Sequence, residues 1–137
     1  MMQKLILYLL TVVLICILTG GMLLLTSWKE PDNIAFLKSY GWEVISEPIE
    51  KINVSIPKEF DDVYKNYNII QLEAGLDLYP YRGKTGIRYT YQVTNYPEDP
   101  GVPVRANVIV IDNKPVAGDI MTTSLDGFMH SLNHKGK

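Results

Sequence analysis

Twenty-four consecutive residues, Leu5 to Trp28, contain no charged side chain, and 18 of them are apolar. No other feature restricts this 137-residue chain so strongly. As a helix the run would be about 36 Å long, against a hydrocarbon core of roughly 30 Å. Fourteen of its residues are Leu, Ile or Val, each favouring insertion. The run therefore predicts a transmembrane anchor over residues 1–28 that contacts the lipid bilayer through residues 5–28. Trp28 suits the outer interface, and Lys4 with the amino terminus flanks the inner end. That places the N-terminus in the cytoplasm and the rest of the chain outside it. The rival is a cleaved signal peptide, with Thr19, Gly20 and Gly21 as the small residues at the cleavage site. Against it, Met22 to Leu25 continues the apolar run. A lipid-modified Cys16 would need a small residue before it, and Ile15 stands there.

Residues 29–32 form a short polar linker, and residues 33–137 carry a separate domain. The near-zero mean hydropathy of +0.02 averages two different materials. Past residue 28 there are 12 Lys or Arg against 15 Asp or Glu, with no basic stripe, which argues against a nucleic-acid partner. Cys16 is the one cysteine, so the domain has neither a disulfide nor a thiol nucleophile.

Along the domain, Asp32 or Asn33 caps a helix with apolar Ile34, Phe36, Leu37 and Tyr40, closed by Gly41. Trp42 to Ile45 reads as a strand, broken by Pro48. Ile52, Val54 and Ile56 alternate as a half-buried strand. Pro57 to Ala74 reads as a helix whose inner face carries Phe60, Val63, Tyr64, Tyr67, Ile70 and Gln71. A loop over 76–85 leads to three strands, of which the first puts Ile87, Tyr89, Tyr91 and Val93 on one face. Asp112, Asn113 and Lys114 make the tight turn between the other two, with Asn113 able to take positive φ. Ser124 to Leu132 is expected as a short final helix. The predicted fold class is α+β: an N-terminal transmembrane helix, then a small α-β-β-α-β-β-β domain. Its sheet is antiparallel, with one or both helices covering one face.

Seven stretches together resemble a known family: FLKSYGWEV (36–44), IPKEFDDVY (56–64), NYN (66–68), TYQVTNYP (90–97), RAN (105–107), GDI (118–120) and LDGFMH (125–130). The family is the uncharacterised bacterial group catalogued as domain of unknown function 4830, and the resemblance covers about residues 34–132. It implies a single-span protein of Gram-positive-type bacteria. It supplies no activity, substrate, cofactor or catalytic residue.

Four constellations invite chemistry. Asp126, His130 and His134 recur at four-residue steps, which on a helix would offer a carboxylate and two imidazoles to a divalent metal. Phe128, Met129 and His130 form a candidate tail surface, with Gly127 expected to take a backbone conformation closed to other residues. Tyr79, Tyr81 and Arg82 form a candidate surface in the loop. Arg82, Lys84 and Arg88 make a small basic spot. No nucleophile or metalloprotease spacing is present, and Asp61 and Asp62 diverge by about 100° on a helix, so they are no acid–base pair. No catalytic residue and no cofactor is assigned. The expectation is a membrane-anchored, extracytoplasmic, non-catalytic interaction module with a protein partner at the membrane face. The alternatives are a small-ligand or envelope-stress sensor and, less favoured, a metal-dependent enzyme.

Overall fold

A computed structural model describes residues 1–25 and 31–135, except for the side chains of 16–25. The chain divides into two units, Met1–Glu30 and Pro31–Lys137.

The first unit holds helix α1, Met2–Leu25. Among the described residues no helix is long and apolar enough to cross a membrane. The described side chains of the charge-free run extend only from Leu5 to Ile15, about 16 Å of helix against the roughly 30 Å needed. The remainder of the expected span, residues 16–28, lies outside the residues whose side chains are described.

The second unit is a five-stranded antiparallel meander in the order β1-β2-β3-β4-β5. Its elements are α2 (Asn33–Ser39), β1 (Glu50–Ser55), α3 (Asp62–Glu73), a 3-10 turn (Tyr79–Tyr81), β2 (Thr85–Gln92), β3 (Val104–Ile111), β4 (Lys114–Thr122) and β5 (Met129–His130). Each helix begins on a carboxylate cap: Asp32 accepts from the Ala35 amide and Asp61 from the Tyr64 amide, both at 2.9 Å. Gly41 and Gly75, at φ +91° and +73°, end them. The β3–β4 hairpin turns on Asp112 and Asn113, both at positive φ, as their residue types predict.

Strand alternation splits the interior into two cores. Tyr89, Tyr91, Ala106, Val108 and Ile120 share one face with Leu37 of α2, Trp42 and Leu132. The opposite face carries Ile109 and Ala117, packed with Ile56, Leu78 and the ring of Tyr67 from α3. The two domain helices thus serve opposite faces, where a single covered face was expected. The C-terminal end of α3 returns to the first core through Ala74 and Leu76.

Three further expectations change. The Trp42–Ile45 strand shrinks to a single bridge, Val44 with Val93. Pro48 has no amide to extend the ladder, and pairing resumes where the Ile49 amide reaches Thr90 O at 2.7 Å. Helix α3 starts at Asp62, which leaves Phe60 in the preceding loop and Val63 72% exposed. The final helix is absent. Residues 124–127 turn, and β5 pairs with β4 through Ile120–His130 and Met121–Met129.

Gly118 lies where β4 passes Leu132. A Cβ added there would stand 2.6 Å from Asn107 O and 2.8 Å from Leu132 Cδ1. Gly118→Ala is expected to cost about 1–3 kcal/mol by forcing strand and tail apart. Thermal or urea unfolding measures this directly, and a wild-type midpoint would contradict the packing.

Candidate functional site

The second face of the sheet buries a carboxylate. Asp119 is 1% exposed. Its Oδ2 accepts from the Tyr67 hydroxyl at 2.8 Å, and its Oδ1 from Asn107 Nδ2 at 2.9 Å. Asn107 Oδ1 in turn accepts from Thr90 Oγ1 at 2.7 Å. Burial raises the Asp119 carboxyl above the ordinary carboxylate range, opposed by the Asn107 and Tyr67 hydrogen bonds and by the Arg88 charge. Burial first, and then the neighbouring Asp119 charge, hold the Tyr67 hydroxyl well above the usual phenol value. One turn further along α3, Gln71 Oε1 accepts the Gly118 amide at 2.8 Å. Helix α3 is thereby fastened to β4 by two polar contacts with no exposed member.

The flank of α3 about 100° round from Tyr67 holds the loop that follows it. Asn68 Oδ1 accepts the Leu78 amide at 2.8 Å, and Asn68 Nδ2 donates to Asp77 Oδ1 at 2.9 Å. Asp77 Oδ1 also accepts the Tyr79 amide at 2.9 Å. This fixes the 3-10 turn beside the helix, with the buried Leu78 as its apolar plug.

Between α3, the 3-10 turn and the loop before α3 lies a groove of about 360 Å³. Phe60 and Ile69 give it apolar walls, while Lys58, Lys65 and Arg82 bring three cations against the single carboxylate of Glu59. Tyr79 meets Phe60 edge to face at 5.7 Å. The Arg82 guanidinium lies 3.6 Å from the centre of the Tyr79 ring, and its Nε donates to Tyr79 O at 2.9 Å. Stacking and hydrogen bond together hold the guanidinium in place. Among the described residues neither Lys58 nor Arg82 has an ion-pair partner, and Lys65 has a solvent-exposed one, Asp62, at 3.6 Å.

Of the loop residues expected at a surface, Tyr79 and Arg82 reach this groove, whereas Tyr81 is half-buried against the second core. The basic spot of Arg82, Lys84 and Arg88 does not assemble. Lys84 pairs with Asp112 at 3.2 Å and Arg88 with Glu50 at 2.9 Å. Arg82 joins Lys58 and Lys65 instead, from segments that sequence spacing does not connect.

The tail is organised by stacking. Trp42, Tyr96, Phe128, His130 and His134 form a continuous ladder, its last two rings 3.9 Å apart. Trp42 Nε1 donates to Leu132 O at 2.7 Å, tying the ladder to a fully buried tail residue. Phe128 and His130 are half-buried within it, and Met129 is exposed beside them on β5. Burial and the adjacent His134 lower the His130 pKa, with Glu73 opposing. The candidate metal set of Asp126, His130 and His134 loses the helical spacing it rested on, because the segment is a strand and turn. Among the described residues no group of three His, Cys, Asp or Glu side chains can hold a metal ion. Gly127 is needed for room: its φ is not positive, but a Cβ there would strike Thr122 Oγ1.

The chain belongs to the family described as Domain of unknown function (DUF4830), whose model matches residues 36–120. The match takes in α3, the 3-10 turn, the groove and Asp119. No curated protein and no solved structure matches the chain.

The polar contacts make a pH-dependent prediction. A carboxyl whose folded pKa is raised holds its proton more tightly in the folded state. Its stabilising effect is full below the unfolded value and declines as pH rises from about 4 toward the folded value. Asp119→Asn should remove that decline. Asp119→Ala strands the Tyr67 hydroxyl and the Asn107 amide, and should cost about 2–4 kcal/mol. Denaturant unfolding of both variants across pH checks the two effects. Equal losses in the two variants would contradict the network.

Proposed function

We propose that this protein is a membrane-anchored interaction module that captures a protein partner outside the cytoplasm without chemistry of its own. The observation that carries the reading is the groove. It gathers a stacked guanidinium, two further cations and two aromatic rings on a frame locked by buried hydrogen bonds. Such a site offers orientation and charge, with no Ser, Thr, Cys or His in its lining and Glu59 as the one acid there. The charge-free run from Leu5 to Trp28 supports the anchor, and Lys4 at its start supports a cytoplasmic N-terminus. Tethering confines the groove to the membrane face and raises its effective concentration toward partners held there.

Photo-crosslinking in cells tests this reading. A photoreactive residue in place of Tyr79 is compared with one in place of Lys114, an exposed residue of the β3–β4 hairpin outside the groove lining. The expected result is one reproducible protein adduct from position 79 that is missing from position 114. Its yield should fall in the Arg82→Ala background while the melting temperature stays unchanged. The same adducts at both positions would refute the reading.

A further inference from the structure

We infer that the groove recognises the free carboxylate of a partner's C-terminal residue together with that residue's apolar side chain. The inference rests on the reading of the groove as a partner-capture site and names what is captured.

The Arg82 guanidinium supplies the first part. Its Nε is committed to Tyr79 O and its plane to the Tyr79 ring. The two terminal nitrogens remain as a parallel fork matching the two oxygens of a carboxylate. Lys58 lines the same groove, its stem passing the residue after Arg82: a Cβ added at Gly83 would lie 3.2 Å from Lys58 Cγ. Lys65 adds a third positive charge from α3. Phe60 and Ile69 receive the apolar side chain.

Charge distribution decides between classes of anion. Across residues 58–84 there are four cations, Lys58, Lys65, Arg82 and Lys84, against five carboxylates, Glu59, Asp61, Asp62, Glu73 and Asp77. Three of the four cations line the groove, while outside its lining the same segments carry four carboxylates against Lys84 alone. A polyanion, an anionic membrane surface or an acid-rich peptide would be repelled by those surroundings. A single carboxylate is not. The volume, about 360 Å³, lies at the low end of the roughly 300–1,000 Å³ typical of ligand pockets. It suits one terminal residue, which brings charge and apolar group on the same Cα, better than a chain that must enter and leave.

Fluorescence anisotropy with the full-length chain in mild detergent provides the test. The probe is a fluorescein-labelled pentapeptide of Gly and Ser ending in Phe with a free carboxylate. Its controls are the C-terminal amide and an amidated peptide with one internal Glu. The acid should bind, and both controls should bind at least about tenfold more weakly, since each lacks the terminal charge. Arg82→Gln should weaken the acid about tenfold or more, and Arg82→Lys should restore part of the loss, a point charge replacing a fork. Both variants should keep the wild-type melting temperature, because Arg82 is exposed. Equal binding of acid and amide, equal binding of the internal-Glu peptide, or no binding of any probe overturns the inference. If position 79 still captures a partner in cells, that failure belongs to the carboxylate and not to the groove. If capture fails as well, the reading beneath it falls too.

Discussion

A carboxylate removed from water must find donors or give up its charge, and Asp119 sits where the rest of the domain supplies those donors. Tyr67 from α3 and Asn107 from β3 donate to it, and Thr90 from β2 donates in turn to Asn107. A one-residue slip of any of these strands would turn its polar side chain into the opposite, apolar core and leave the others unpaired. The network therefore specifies register as well as adding stability. It also specifies where α3 lies, because the Tyr67 hydroxyl and the Gln71 amide both end on β4.

The groove depends on that placement. Helix α3 turns Tyr67 and Gln71 toward the sheet, and Asn68, Lys65 and Ile69 toward the loop that follows it. Asn68 then holds Leu78 and Asp77, and so fixes where Tyr79 and Arg82 stand. A buried polar contact on one side of the helix thus sets the geometry of an exposed charged site on the other. The chain of causes runs from strand register through helix position to the guanidinium.

Local patterns made most of the sheet legible. The alternation of Ile87, Tyr89, Tyr91 and Val93, the Asp112–Asn113 turn and the Asp32 cap each act over a few residues, and each appears where its chemistry demands. Features that depend on distant partners were not legible in this way. Val63 fitted the apolar stripe of a longer helix, but Asp61 captured the Tyr64 amide and started the helix later. Asp126, His130 and His134 had helical spacing, yet β4 had an open edge and took residues 129–130 as a strand. The site divides in the same way. Tyr79 and Arg82 were visible as a loop aromatic and a loop cation. Lys58, Phe60 and Lys65 were not, because only the fold brings them alongside. Asp119 left one trace, since the centres of β3 and β4 are buried on both faces and, within 106–111 and 116–120, Asn107 and Asp119 are the polar side chains amid small and aliphatic ones. That pattern points to an internal polar pair.

The dependence of the groove on the buried carboxylate is most directly tested by amide hydrogen exchange at Leu78 in Tyr67→Phe. The Leu78 amide lies eleven residues along the chain from Tyr67 and is bonded to Asn68 Oδ1, about 100° round the helix from the Tyr67–Asp119 contact. If the Tyr67–Asp119 bond positions α3, losing one hydroxyl should accelerate exchange at Leu78 and along Asp62–Glu73 while leaving the β2–β3 pairing protected. Unchanged exchange at Leu78 would contradict the account and show that apolar packing alone places the helix.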